Sequence, residues 1–579
     1  MIKSTFLMLL LILLLFFNVS LYALDKSKNL RLYFVGNHAL GYEQLVQLIN
    51  TKKKASLLSS DWQEKGVEIN PIYLSKLDEL YTFFYRQEGF YDVNITHHLR
   101  ADGDVVLYIQ EHQPVKVAQL SIESDHPIEE LIAFHQGDRF RAKRFSEMKR
   151  SIIKALLKEG YCGYDLDTKA YVDLESHQVS IKIKLAKGEV CHFGKVTITG
   201  DKNISQAVVL SRLHFEEGDR FDLDKIKESY ESLYALDAFD NIQMVYDAKF
   251  HQKIPLDVRF KSMPPKISSR IGVGYATDLR FQAKYHWEYK NFYGNARKLR
   301  LDALFSQKQK NLESNFFNPA VRVWWGYHLD FQNTLGYQAE EGIHEFDEVL
   351  LFDKFFLEHQ ENQWIDRVGI GVEHREILGD KEFLLIYPFA KVVLDLRDSK
   401  INPTEGIYFS HEMEYGLPYT PESTTYFKYL DELRLIYTLD QLTLSAVGRV
   451  GGIMTYQNRL PESKKFFAGG AFSNRAYGYE QIGVTISSTE DLNEGGDGMV
   501  NLSFEMGMPL YKRLYLGIFS DNTMISDRAN FWEFSNPMIH SVGMGLRYMT
   551  PIGPFKIDFG FNLHQYDENA LHFQIGQSF

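Results

Sequence analysis

The run Gly553-Pro-Phe-Lys-Ile-Asp-Phe-Gly-Phe-Asn-Leu-His564 alternates with a period of two. Phe555, Ile557, Phe559, Phe561 and Leu563 fall on one face, and Lys556, Asp558, Gly560, Asn562 and His564 on the other. After a turn from Tyr566 to Asn569 the alternation resumes. Leu571, Phe573 and Ile575 then oppose His572, Gln574, Gly576 and Ser578, and Phe579 lies on the apolar side. Successive strand side chains point to opposite faces, so each run has one apolar and one polar wall. Strands of about ten residues, apolar outside and polar within, joined by turns, are what a transmembrane β-barrel requires.

Working back from this hairpin, the same alternation predicts strands from Lys266 onward. They start near Lys266, Leu279, Arg297, Lys310, Arg322, Ile343, Trp364, Lys381, Glu405, Thr424, Gln441, Gly498, Leu514, His540, Gly553 and Ala570. The count is sixteen, an even number, as a closed antiparallel barrel of one bacterial chain has. The expected barrel spans residues 264–579. Val500, Leu502, Phe504, Met506 and Met508 should face lipid, with Asn501, Ser503, Glu505 and Gly507 facing the lumen. The Gly-x-Gly pairs at Gly272/Gly274, Gly369/Gly371 and Gly543/Gly545 sit mid-strand. They therefore do not read as phosphate loops, which lead into a helix. In the first and third pairs the glycines are expected on the lumen face, leaving room for an inserted loop.

Composition is consistent with this reading. The mean hydropathy is −0.27, and beyond the N-terminus no run of about 18 apolar residues supplies a membrane helix. Lys3, the apolar core Phe6–Phe17 and the sequence up to Ala23 read as a secretory signal peptide over residues 1–23. The net charge of −12 argues against a nucleic-acid surface, which needs a basic face, and Lys52-Lys53-Lys54 reads as a solvated loop. Cys162 and Cys191 are the two cysteines of the chain. They either pair in an oxidising compartment or remain small unpaired hydrophobes, since sequence does not give their separation.

Ahead of the barrel, helices of 3.6-residue period alternate with short strands. Gly137-Asp138-Arg139-Phe140 recurs as Gly218-Asp219-Arg220-Phe221, 81 positions later, each followed by an amphipathic helix. A weaker copy precedes them. It has a strand at Leu30–Val35, a helix at Pro71–Glu88, an exit at Gly89-Phe90-Tyr91 and a strand at Val105–Ile109. The predicted unit is strand, two helices, strand, strand, repeated over residues 24–113, 114–188 and 189–263. One larger α+β domain is the alternative.

One barrel connection is out of scale. Some forty residues separate the strand ending near Tyr456 from that starting near Gly498, and loops this long are usually functional or disordered. Its segment from Phe466 to Tyr479, with Gly469, Gly470, Arg475 and Tyr477, is rich in aromatics and glycine. It reads as folded back into the lumen. A desolvated guanidinium needs a carboxylate. Asp521, which shares parity with Gly517 and Phe519, is the first candidate, and the inward Glu505 the second. A solvated Arg475 is the alternative.

These residues resemble a known family. Asn474-Arg475-Ala476-Tyr477 resembles the lumen-loop signature of the BamA/TamA/two-partner-secretion superfamily, an aliphatic residue, Arg, Gly and an aromatic. Arg475 and Tyr477 match, while Asn474 and Ala476 depart. Phe519-Ser520-Asp521 is similar to the strand motif that receives the Arg, with Thr523 where Gly is common, and the turn from Asp395 to Gly406 also matches. The repeats resemble POTRA (polypeptide-transport-associated) domains, and three of them look most like TamA. The resemblance implies an outer-membrane protein of a Gram-negative-type cell with periplasmic POTRA domains that receive client strands on open sheet edges. It also implies a TamB-like periplasm-spanning partner, and clients that are unfolded outer-membrane or autotransporter-type proteins. Outer-membrane lipid is a further possible cargo. A seam between the first and last strands, loosened by Gly272, Gly274 and Gly576 and ending at Phe579, would be the gate. Export of one dedicated client and a passive or gated pore are the competing readings. No catalytic or metal constellation is expected: His344-Glu345 and His411-Glu412 lack the second His of a metalloprotease helix. Neither an enzyme nor a cofactor is anticipated.

Overall fold

A computed structural model describes residues 30–575, except 50–65, 70, 102, 248–251, 277–279, 325–326, 342–346, 362, 378–381, 401–402, 421–422, 459, 488–491, 512, 530–536 and 551–552. The signal peptide over 1–23, Lys52-Lys53-Lys54, Gly576 and Phe579 lie outside the described residues. The chain divides into two compact units. One holds the chain up to Gly194 with Glu217–Leu223 and Asp247–Ile254; the other holds Lys195–Glu216, Asp224–Tyr246 and Pro255 onward.

The first unit opens with a four-stranded sheet in the order Val67–Ile69, Leu30–Val35, Val105–Gln110, Asn94–Leu99. One face is covered by the helix Leu77–Gln87, which buries Leu77, Tyr81 and Tyr85 at helical spacing against Leu32 and Leu107. The predicted helix from Pro71 begins as a 3-10 turn, Pro71–Lys76. The next repeat has the sheet order Lys116–Ser124, Gln178–Ala186, Asp165–Asp173 and one long helix, Ala142–Lys158. Met148, Ile152 and Leu156 of that helix are buried at the spacing read from sequence. Its second predicted helix is absent among the described residues, because the short stretch between Ser124 and Gly137 accommodates only the 3-10 turn Glu129–Leu131. A third sheet, in the order His192–Thr199, Lys253–Ser262, Phe239–Val245, has most of its residues in the second unit.

The Gly-Asp-Arg-Phe echo is a joint between repeats. Gly137 N–H donates to Val117 O (2.8 Å), Val117 N–H to Asp138 O (2.8 Å) and Phe140 N–H to Val115 O (2.9 Å). The second copy repeats the set with Gly218 to Phe193, Phe193 to Asp219 and Phe221 to Cys191. Both glycines have φ near +90°, at 90° and 98°, a conformation that side chains resist. The exit glycine of the preceding repeat fits beneath each copy: a Cβ on Gly89 would lie 2.2 Å from Phe140 O, and one on Gly160 2.7 Å from Phe221 O. Arg139 and Arg220 lie over the exit aromatics Phe90 and Tyr161. Cys162 and Cys191 form a disulfide across the second joint, with Cα atoms 5.7 Å apart, which closes the alternative that sequence left open.

The second unit contains the sixteen-stranded antiparallel sheet, with every strand beside its sequence neighbour from Lys266–Ala276 to Asn569–Ile575. One predicted start is displaced. The fourth strand runs through Arg322 to Trp324, because a bulge between Asn318 and Arg322, with Ala320 at φ 52°, lets it continue past Pro319. The next strand accordingly begins at Tyr327 rather than Arg322; the predicted starts at Leu279, Ile343 and Lys381 lie outside the described residues. Side chains follow the predicted parity: Phe504, Met544 and Leu571 are exposed on the outer face, whereas Asn501, Glu505 and Asp521 are buried within. Gly369 and Gly371 also face inward, since Val368 and Ile370 are exposed and Tyr387 fills the space a Gly371 Cβ would need. In the turn after Asp395, Arg397 closes on the Asp395 carboxylate and Asp398 accepts the Thr404 N–H (2.8 Å).

Candidate functional site

The forty-residue connection enters the lumen as its residue types predict. Phe466 pairs with Gly496 and Ala468 with Ile482, so a narrow ladder carries the chain inward. Gly469 (φ 103°) and Gly470 (φ 95°) then turn it, and Gly470 N–H donates to Tyr477 O (3.0 Å) to close a compact tip. Tyr477 Oη accepts the Asn562 amide (2.6 Å) from the strand Gly553–Asn562.

Arg475 sits at the centre of this tip and is 5% exposed. Asp521, fully buried on the strand Leu514–Ser526, receives its Nε (2.9 Å), Nη2 (2.9 Å) and backbone N–H (2.9 Å). Glu505 receives Nη1 at 2.6 Å. The two carboxylates predicted as alternatives therefore bind the guanidinium together. Its plane lies over the Phe519 ring at 3.5 Å, adding a cation–π contact. A forked, planar cation held by a bidentate carboxylate is the strong form of a buried pair.

Sequence reasoning missed the next layer. Arg547 bridges Glu505 (3.0 Å) to Asp558, and Asp558 lies 3.6 Å from Arg475. Arg547 and Asp558 had the inward parity that would have nominated them. Gly560 was noted only for its parity, yet a Cβ there would meet Arg475 O at 2.4 Å, so the loop backbone rests on this glycine. Two of the three departures from the family pattern answer each other: Asn474 donates to Thr523 Oγ1 (3.3 Å), which also accepts from Asn501 (2.8 Å). Ala476 is not among the residues with positive φ, so an alanine is accommodated there.

At the ends of the sheet, Lys266–Ala276 pairs along its length with Arg280–Lys290, while the last strand pairs with its neighbour over seven residues, Asn569 to Ile575. The first and last strands lie beside each other, but among the described residues no hydrogen-bonded register joins them. Ile271 and Val273 on the first strand are 79% and 84% exposed, against 43% for Ile518 and 44% for Leu546 in the middle of the wall. A side chain flanked on one side only is covered less. Nothing lies within 4 Å of a Cβ placed on Gly272. Gly274 lies in the same strand, two residues on. Among the described residues no group of three or more His, Cys, Asp or Glu could hold a metal ion.

Residues 291–579 match the Omp85 superfamily domain, and residues 191–262 match the POTRA model, described as a surface antigen variable number repeat. The chain is 25% identical over 451 residues to the outer membrane protein assembly factor BamA of Nitratidesulfovibrio vulgaris, covering 72% of this chain and 55% of that protein. It is 20% identical over 596 residues to the BamA of Neisseria meningitidis serogroup B, covering 90% and 74%. It thus spans 55% of the length of the first relative and 74% of the second. Among solved structures, BamA from Haemophilus ducreyi lacking POTRA domains 1–3 superposes with a TM-score of 0.57 at 16% identity. That likeness, over 80% of this chain and all of the other, is one of fold.

Proposed function

Because the chain belongs to the Omp85 superfamily, we propose that it is a non-enzymatic outer-membrane factor that helps insert or translocate β-barrel and autotransporter-type proteins. The barrel lies in the outer membrane and the POTRA repeats in the periplasm, where their sheet edges receive client or partner strands by backbone pairing. The observation that carries this reading is the uncovered first strand. Ile271 and Val273 stand exposed on a first strand that, among the described residues, no hydrogen-bonded register joins to the last. An unpaired edge offers N–H and C=O groups to an incoming strand with little regard to its sequence. The arginine-anchored loop, by contrast, occupies the lumen, which favours passage along the seam over free flow through the centre.

Three repeats ahead of the barrel support a TamA-like arrangement in which a TamB-like protein docks from the periplasm. Phospholipid movement would then be a second task of that pair. Depletion in a living cell tests the reading. Selective loss of outer-membrane β-proteins is expected. Loss of one secreted protein alone would replace it with dedicated export, and altered solute uptake alone with a pore.

A further inference from the structure

The lumen loop has a second ionic foot, eleven positions before Arg475, which neither the signature motif nor the assembly reading involves. Lys464 is 6% exposed. Its Nζ donates to both oxygens of Glu373 (3.0 and 3.1 Å) and to Glu414 (3.2 Å), and lies 4.3 Å from the Tyr387 ring centroid. Its backbone carbonyl accepts the Lys428 ammonium at 2.7 Å. The adjacent Ser463 donates to Glu348 (2.7 Å) and accepts from Arg375 (2.8 Å), which also binds Glu348 and Glu373 (2.9 Å each). Leu460, 2% exposed, packs with Leu385, Tyr387 and Tyr426 into the same corner.

The two feet stand on different parts of the wall. Glu348, Glu373, Tyr387 and Glu414 belong to the sixth to ninth strands of the sheet, whereas Glu505, Asp521, Arg547 and Asp558 belong to the twelfth to fifteenth. Among the described residues, the groups of the first foot and those of the second share no ion pair or hydrogen bond. Each foot desolvates a cation and compensates it locally, so releasing one leaves the other fully paired.

We infer that the loop is a strut with two independent ionic attachments, and that Lys464 is a positioning residue that holds its entry segment to the sixth-to-ninth-strand wall whether or not Arg475 is bound. Clearing the lumen then requires two separate releases, and that of the signature-motif arginine is only one of them. The inference does not depend on what the protein assembles. Its failure would leave the proposed function standing, and the reverse holds too.

Thiol accessibility of the full chain in liposomes tests it, because the native cysteines are joined in a disulfide and an introduced thiol is unique. Leu460→Cys reports the second foot, and Ala476→Cys, at a position 1% exposed, reports the first. With a water-soluble maleimide, Lys464→Glu should raise labelling at Leu460→Cys about tenfold or more and leave Ala476→Cys within about twofold. Arg475→Ala should do the opposite, as independent sites behave. If either single change opens both positions, or if Lys464→Glu opens neither, the two-footed strut is wrong. Only heat-shiftable, folded protein is read. Where Lys464→Glu does not reach that state, Lys464→Met, which removes the charge without reversing it, takes its place under the same two criteria.

Discussion

Removing Arg475 should strand one carboxylate, and the structure says which one. Among the described residues, every hydrogen bond that the Asp521 carboxylate accepts comes from Arg475, at 2.9 Å each, and its side chain is fully buried. Glu505 and Asp558 would keep Arg547. Breaking a buried ion pair by deleting one partner costs about 3–5 kcal/mol, mostly for the uncompensated charge left behind. Arg475→Ala should therefore destabilise the barrel by about 3 kcal/mol, and Asp521→Ala by a similar amount. Adding Asp521→Ala to Arg475→Ala removes the stranded charge, so the double variant should be no less stable than Arg475→Ala alone. The coupling energy would then be about 3 kcal/mol, at the upper end of what contacting residues show. Urea unfolding in detergent micelles, followed by tryptophan fluorescence and by the heat shift on gels, measures all four corners of the cycle. Losses that add to within about 0.5 kcal/mol would refute the pairing argument.

Other expectations follow from close approaches and covalent closure. Gly560→Ala would press a methyl onto the Arg475 carbonyl, a backbone atom 2.4 Å away, and should cost about 1–3 kcal/mol. Gly507→Ala, whose nearest neighbour would be 3.8 Å away, should stay within about 0.5 kcal/mol in the same unfolding assay. Replacing both Cys162 and Cys191 with serine opens a link spanning 29 positions and should destabilise that part of the chain by about 3 kcal/mol. Limited proteolysis of the full chain would register it as faster cleavage between the second and third repeats, with the barrel's heat shift unchanged.

The barrel was legible because its signal is local. A period of two needs no knowledge of neighbours, so Phe555 to Leu563 and Val500 to Met508 declared their faces residue by residue. Parity also placed Asp521 and Glu505 in the lumen with Arg475. It did not reveal that both bind at once, since that depends on register between strands, Ser503 opposite Asp521 and Glu505 opposite Phe519. The Lys464 foot was invisible for the same reason: its partners come from strands 36 to 115 positions away, and no periodicity relates a loop to a distant wall. Arg322 was misplaced because a bulge adds residues without breaking the apolar pattern. In the repeats, the Gly-Asp-Arg-Phe echo announced repetition, but its role as a joint needed the positive φ of Gly137 and Gly218 and the exit glycines beneath them. The missing helix of the second repeat is a matter of chain length rather than propensity.

Locking the seam is the most direct test of the proposed mechanism. Cysteine pairs, one within Lys266–Ala276 and one within Asn569–Ile575, would be scanned for cross-linking, and the locked full chain would be assayed for insertion of a β-barrel client into liposomes. The account predicts that locking abolishes insertion and that reduction restores it, with reduction of the unmodified chain as control. A locked barrel that inserts its client at the rate of the free one would contradict the seam as the route.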